Sequence, residues 1–373
     1  MAEGRRSWAK AIVVIAVIII VALLLINPSV QGVLKNIITS PFTPRYPEEA
    51  TFSLERTLTV SANGGEVIGY SFDIPEPMNI SQNGYQIQTI NSVQYEPEVE
   101  VSTKYGQKWV NWTGGDLEGN QERVMTATYV VNAKTHIWTI DASSSGTVDD
   151  IPSDLKQQYL HDEWKINMTD PAIVSLSNQI VGEETDVYTI LRGIYDWTVA
   201  NIRYPSVALG GEPQSAVETL QSGVGDCDDQ SILFCSLARA AGVPAWLQLG
   251  ALYVNIDDSW GGHGWIQTFI PLNGSEGEKV VIDTVNKDFL VWRPNRFVEF
   301  TDDGVASHLT DYYYTYTVTY DSSTYTGGRA PKYSESYTAL FYDASDRKVS
   351  QGSVYNIEYA IRPADTCLAP SRR

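Results

Sequence analysis

The sequence predicts an α+β chain: an all-β sandwich, then a mixed core of helices and strands, behind one apolar N-terminal helix. Three patterns carry this prediction. Residues 11–26 contain no polar side chain. From Thr51 to about Asp141, short runs rich in β-branched and aromatic residues alternate with Gly/Asn turn signals, as antiparallel strands do. From Pro171 the apolar residues recur at helical spacing, and strand patterns return after Pro244.

The N-terminal run follows Arg5, Arg6 and Lys10. Its 16 residues, extended by Trp8 and Ala9, approach the length that spans a bilayer. Basic residues ahead of it place the N-terminus in the cytoplasm and the body outside, so the expected location is the cell membrane, single-pass. Asn27-Pro28 follows directly with no small-residue cleavage site, which favours a retained anchor over a cleaved signal peptide. The predicted organisation is a cytoplasmic stub and anchor over 1–27, a tether over 28–50, a β-sandwich over 51–145, a helix-and-strand core over 155–321, and a C-terminal hairpin and tail over 333–373.

Within the sandwich, Ser53–Val60, Val67–Phe72, Glu98–Ser102, Trp109–Trp112, Arg123–Val131 and His136–Ile140 read as strands, and Asp141–Asp154 as a linker. In the core, Val187, Leu191, Ile194 and Trp197 form a helical stripe. Ser215 and Glu218 make a capping box for a short helix. Trp246–Val254 reads as a strand, Asn255–Gly262 as an acidic loop on the rim of a cleft, and Tyr312–Tyr320 as a strand. Tyr337–Tyr342 and Val354–Ile361 would form the final hairpin.

Composition excludes some functions. The formal charge of −19 argues against nucleic acid as a partner. Three cysteines (Cys227, Cys235 and Cys367) make no disulfide framework. There is no Cys/His metal spacing and no glycine-rich phosphate loop, so no cofactor and no metal are expected. Asp257 and Asp258 read as solvated loop residues rather than calcium ligands.

The chemistry concentrates at Ser222–Cys235, SGVGDCDDQSILFC. Cys227 stands between a glycine turn and an apolar run that Gly242 and Pro244 terminate. A cysteine at the start of a buried helix meets unpaired N–H groups and the positive end of the dipole, which favour a thiolate. Of four histidines, only His263 lies in a motif, Gly-Gly-His-Gly-Trp. A strand follows it, then the Asn273-Gly274 turn, then a strand ending at Asp283. His263 and Asp283 are each ten residues from Asn273, so a hairpin would bring them opposite one another. Cysteine, histidine and aspartate in this order read as nucleophile, base and orienting carboxylate.

These segments, GDCDDQSILFCSLARAAGVPAW, GGHGW and VVIDTV, resemble the core of the transglutaminase-like superfamily, relatives of papain-type thiol enzymes. The resemblance covers about residues 155–320. It implies a helix-borne Cys227 as nucleophile packed on an antiparallel sheet, His263 as general base and acid, and Asp283 as the group that orients the imidazole. Gly264 stands where the family usually has alanine. The β-domain ahead of the core is also similar to one often found in such proteins. The backbone N–H of Cys227 would supply one oxyanion donor; Gln221, Tyr204 and Trp246 are candidates for the second. The expected function is an exported thiol enzyme acting on amide bonds of proteins, peptides or cell-envelope polymer through a thioester, by hydrolysis or acyl transfer. The alternative is an idle core in a cell-surface binding or structural protein.

Overall fold

The computed structural model describes residues 44–82, 84–206 and 212–350. The expected anchor at 1–27 and the strand expected at 354–361 lie outside these residues. Among the described residues no helix is long and apolar enough to cross a membrane.

The N-terminal part supplies strands β1 (Glu49–Ser61), β2 (Gly65–Pro75), β3 (Ile80–Gln82), β4 (Tyr85–Glu96), β5 (Glu100–Lys104), β6 (Gln107–Gly119) and β7 (Glu122–Lys134). Helices follow: α1 (Ser153–Tyr159), α2 (Pro171–Val181), α3 (Val187–Asn201), α4 (Ala216–Ser222) and α5 (Cys227–Ala240). Then come β8 (Ala245–Val254), β9 (Ser259–Leu272), β10 (Ser275–Asp283), β11 (Asp288–Phe289), β12 (Arg296–Thr301), α6 (Ala306–Tyr313), β13 (Tyr316–Asp321) and β14 (Lys332–Ala344).

Two antiparallel sheets, ordered β14-β1-β7-β4-β3 and β13-β2-β6-β5, form the sandwich. Alternation along β1 buries Phe52, Leu54, Leu58 and Val60, the period-two pattern of a sheet with one covered face. The sequence reading separated residues 333 onward from the sandwich and put 316–321 in the core. Instead β14 pairs along the whole of β1, and β13 pairs with β2. Each covers an edge that would otherwise expose unpaired backbone. Strand β4 was not anticipated, because its Gln, Asn and Ser residues dilute the strand pattern. Residues 306–313, partly read as strand, are helical, with Leu309, Tyr312 and Tyr313 buried on one face.

The core is a third antiparallel sheet, ordered β11-β10-β9-β8-β12, against which α5 packs. The strands β8 and β9 continue past the site into the sandwich. Tyr253 and Trp260 join Phe52 and Phe297 in its apolar cluster, with Phe52 and Trp260 ring centroids 4.6 Å apart. The segment Asn255–Gly262 is therefore the sandwich-facing end of a hairpin, not a loop on the cleft rim. The predicted linker is likewise ordered: Gly146 N–H donates to Pro271 (2.7 Å), and Asn273 donates to the Ser145 carbonyl (3.0 Å).

Strand β12 ties sandwich to core. Its outer edge is satisfied by side chains: Gln88 accepts from Val298 N–H and donates to its carbonyl, and Gln107 donates to the Glu299 carbonyl. Glu299 is buried and accepts from Arg56 (3.1 Å) and Tyr337 (2.9 Å), while Arg56 also pairs with Glu335 (2.9 Å). Removing one partner of a buried ion pair leaves the other charge uncompensated. Arg56→Ala is expected to lower the unfolding free energy by about 3–5 kcal/mol in urea denaturation; a loss below about 1 kcal/mol would contradict this role.

Candidate active site

Cys227 is the first residue of α5, as the sequence predicts. Asp226 is the N-cap; its side chain accepts from Asp229 N–H, and the Asp229 carboxylate accepts from Asp226 N–H, a reciprocal capping box. Asp229 also accepts from Gln214, through the backbone N–H (2.6 Å) and the side-chain amide (2.9 Å). Behind this cap α5 is buried nearly throughout. Burial also pushes the Cys235 thiol up, which suits an inert core cysteine.

His263 and Asp283 meet. His263 Nε2 lies 2.8 Å from Asp283 Oδ2, both side chains buried. The hairpin register differs from the symmetric one expected. The two-residue Asn273-Gly274 turn and a bulge between Ile270 and Leu272 pair Ile266 with Ile282. Continuing that register makes His263 and Asp283 diagonal neighbours on one face, still within reach of each other.

Asp283 is the most densely bonded group of the site. Oδ2 accepts from His263, from Arg296 Nη2 (2.7 Å) and from Asn286 Nδ2 (2.9 Å), and Oδ1 accepts from Asn286 N–H (2.9 Å). Burial works to raise its pKa, but the neighbouring His263 and the Arg296 guanidinium, with these hydrogen bonds, hold it far below the ordinary carboxylate range. Arg296 also donates to Asp288 (2.7 Å) and the Val291 carbonyl (3.0 Å), and Arg293 donates to Asp288 (2.6 Å). Asn286 and Arg296 are the site residues that sequence reasoning missed. The Asp-x-x-Asn spacing at 283–286 was a usable signal for the first; nothing local marks the second.

A carboxylate only accepts, so His263 Nε2 carries the proton and Nδ1 keeps its lone pair. The Asn286 amide approaches Nε2 to 3.1 Å, but it donates to Asp283, so that approach is a packing contact between two donors. Nδ1 is buried and has no hydrogen-bond partner among the described residues. The first turn of α5 lies against this strand. Asp228 packs on Gly264, Ser231 Oγ lies 3.4 Å from the Gly264 carbonyl, and Cys227 clusters with Val285 beside the Asp283–Asn286 turn. The glycines do not leave His263 open, since it is only 3 % exposed.

Of the oxyanion candidates, Tyr204 packs against Cys227. Trp246 does not fit: it is fully buried, stacked on Tyr159, and its indole N–H donates to Gln267 (3.0 Å). Every residue of β8 is buried, so this indole needs an internal acceptor. Gln221 is exposed near the end of α4.

Burial and the neighbouring carboxylates of Asp228 and Asp229 push Asp226 up to about 7. A carboxyl raised in the folded state holds its proton more tightly there than in the unfolded chain. Stability therefore falls as pH rises from the unfolded value, about 4, to about 7. Asn keeps the cap and cannot ionise. Asp226→Asn is expected to stabilise the protein by about 1–3 kcal/mol at pH 8 and to change little at pH 4, as read from denaturation curves. Equal effects at both pH values would contradict the assignment.

The comparisons agree with this architecture. Residues 174–276 match the family model of the transglutaminase-like superfamily, a span that includes Cys227 and His263. An uncharacterised protein of Haemophilus influenzae is 27 % identical over 188 residues, 46 % of this chain and 47 % of that protein. The chain thus spans about half the length of the curated relative it matches. A provisionally assigned cysteine protease from Cytophaga hutchinsonii shares the fold at a TM-score of 0.55 and 16 % identity, over 84 % of this chain and 97 % of that one. The helix bearing Cys227 and the strand bearing His263 are thus parts of a transglutaminase-like domain over residues 174–276.

Proposed function

We propose that this protein is an exported, membrane-anchored thiol enzyme that cleaves or transfers amide bonds of proteins, peptides or cell-envelope polymer. The observation that carries the proposal is the buried His263–Asp283 pair, with its bare Nδ1 on the strand that the first turn of α5 touches. Anchoring and export rest on Arg5, Arg6 and Lys10 ahead of the apolar run 11–26. The provisional assignment of the Cytophaga neighbour agrees with thiol chemistry.

In this reading, reduced Cys227 attacks the amide carbonyl carbon, and its proton passes to His263 Nδ1. The oxyanion is held by the Cys227 backbone N–H, with Tyr204 as the candidate second donor. His263 returns the proton to the leaving nitrogen as the C–N bond breaks, leaving a thioester. Water then gives a carboxylic acid, or an amine gives a new amide. Asp283 stays ionised throughout and steers the ring, and Arg296 and Asn286 hold Asp283.

The second reading, an idle core in a surface binding protein, is favoured by one fact: Cys227 and His263 are only 4 % and 3 % exposed. A thiol-directed probe and a glutamine-containing peptide supplied with a fluorescent primary amine separate the two. In the reduced protein, the enzyme reading expects probe labelling at Cys227 and ammonia release from the peptide. Cys227→Ala abolishes both, and His263→Ala slows turnover by about 10²–10⁴-fold. Amine incorporation marks transfer, and ammonia release without it marks hydrolysis. No turnover, with Cys227 labelling indifferent to His263→Ala, supports the idle core.

A further inference from the structure

The carboxylate oxygen that accepts the His263 N–H also accepts from a guanidinium. Asp283 Oδ2 lies 2.8 Å from His263 Nε2 and 2.7 Å from Arg296 Nη2. The same Nη2 donates to Asp288 Oδ2 (2.7 Å), and Arg293 Nη2 donates to Asp288 Oδ1 (2.6 Å). Outward from the imidazole the charges therefore alternate: Asp283 negative, Arg296 positive, Asp288 negative, Arg293 positive. The side chains of Asp283, Arg296 and Asp288 are at most 1 % exposed, so salt screens this row weakly. Arg293, at 24 %, is the end that reaches solvent.

A lone buried carboxylate against an imidazole favours the imidazolium, and so ties up the proton that a general base must take and return. Arg296 works against this. Bonds of 2.8 and 2.7 Å to one oxygen keep its Nη2 within about 5.5 Å of His263 Nε2, a range at which like charges repel even in a high dielectric. Its hydrogen bond also takes a share of Oδ2. Asp288 draws Arg296 the other way, and Arg293 draws Asp288. We propose that Arg296 is a positioning residue that sets how firmly His263 keeps its second proton: acting through Asp283, it weakens the carboxylate's hold on the imidazolium, and Asp288 sets by how much. The inference deepens the reading of His263 as the base, and rests on that reading for its catalytic meaning. Other charged and titratable groups surround this row: Asp226, Cys227, Asp228 and Asp229 at the start of α5, Arg192 and Tyr195 on α3, and Tyr46 beside Asp288 and Arg293. None of them is altered in the variants below, so differences among those variants report the row itself.

Ring-proton NMR across pH tests this on the reduced, full-length protein without relying on turnover. The His263 resonance is assigned by its loss in His263→Gln. Arg296→Gln is expected to raise the midpoint of the His263 titration by about one pH unit, a gain of about tenfold in proton affinity. Arg296→Lys, which keeps the charge, is expected to lie between Arg296→Gln and the wild type. Asp288→Asn is expected to lower the midpoint. Arg293→Gln, at the exposed end, is expected to raise it by less than Arg296→Gln. The opposed signs separate charge from damage, because a loosened site moves the midpoint the same way in every variant, toward that of a free imidazole. If Arg296→Gln does not fold, Asp288→Asn and Arg293→Gln carry the sign test. Shifts of one sign in all variants, or no shift in a folded Arg296→Gln, overturn the inference. So does a ring that titrates in no variant over the range where the protein stays folded. The expected signs, together with a Cys227 that no thiol reagent modifies, uphold the inference and overturn the enzyme reading instead.

Discussion

The buried carboxylate of Asp283 is the constraint on which the site depends. An isolated charge in the interior costs several kcal/mol, and this one is compensated by an imidazole N–H, a guanidinium and two N–H groups of Asn286. Because an ionised carboxylate only accepts, its position fixes which nitrogen of His263 holds the proton. The ring's other nitrogen then keeps its lone pair, with no hydrogen-bond partner among the described residues. Lys287, at a left-handed φ of 57°, turns the chain tightly enough for Asn286 and Asp288 to flank Asp283 on a short excursion between β10 and β11. A non-glycine residue there stores a modest strain, which the surrounding bonds hold in place.

The same constraint explains why the sandwich belongs to the machine. Arg296, which holds Asp283, begins β12, and β12 is fastened to the sandwich through Gln88, Gln107 and the Glu299–Arg56–Glu335 cluster. Strand β12 thus carries buried polar contacts at both ends, to the sandwich through Val298 and Glu299 and to the imidazole's partner Asp283 through Arg296. Gly250 lies beside this strand. It pairs with His263 on one side and lies against β12 on the other, where a Cβ would come 1.9 Å from the Phe297 carbonyl oxygen. The close approach of β12 behind the histidine strand needs a residue without a side chain.

Much of this was legible in the sequence. Cys227 at a helix start follows from Asp226, the apolar run after it and the Gly242 stop, all local signals. The His263–Asp283 meeting follows from one turn and the residue types, although the bulge at Ile270 shifts its register. What was hidden depends on distant packing. Arg296 carries no site signal in the sequence, because its partners Asp283 and Asp288 are set by a turn that no periodicity announces. Trp246 looked like a donor because its burial on both faces of β8 depends on α1 and on the neighbouring sheet. The return of residues 316–321 and 332–344 to the sandwich is a long-range pairing, and strand pattern alone does not say which sheet a strand joins.

The account's central claim is the protonation pattern that Asp283 imposes on His263, and ¹⁵N NMR of the imidazole tests it most directly. In reduced, ¹⁵N-labelled protein at neutral pH, the two ring nitrogens of His263 are told apart by their couplings to the ring protons. In the neutral imidazole, the account predicts a proton-bearing Nε2 and a bare, pyridine-like Nδ1. A proton resting on Nδ1 with Nε2 bare would contradict it, because the imidazole would then turn a lone pair, not a donor, toward the Asp283 carboxylate.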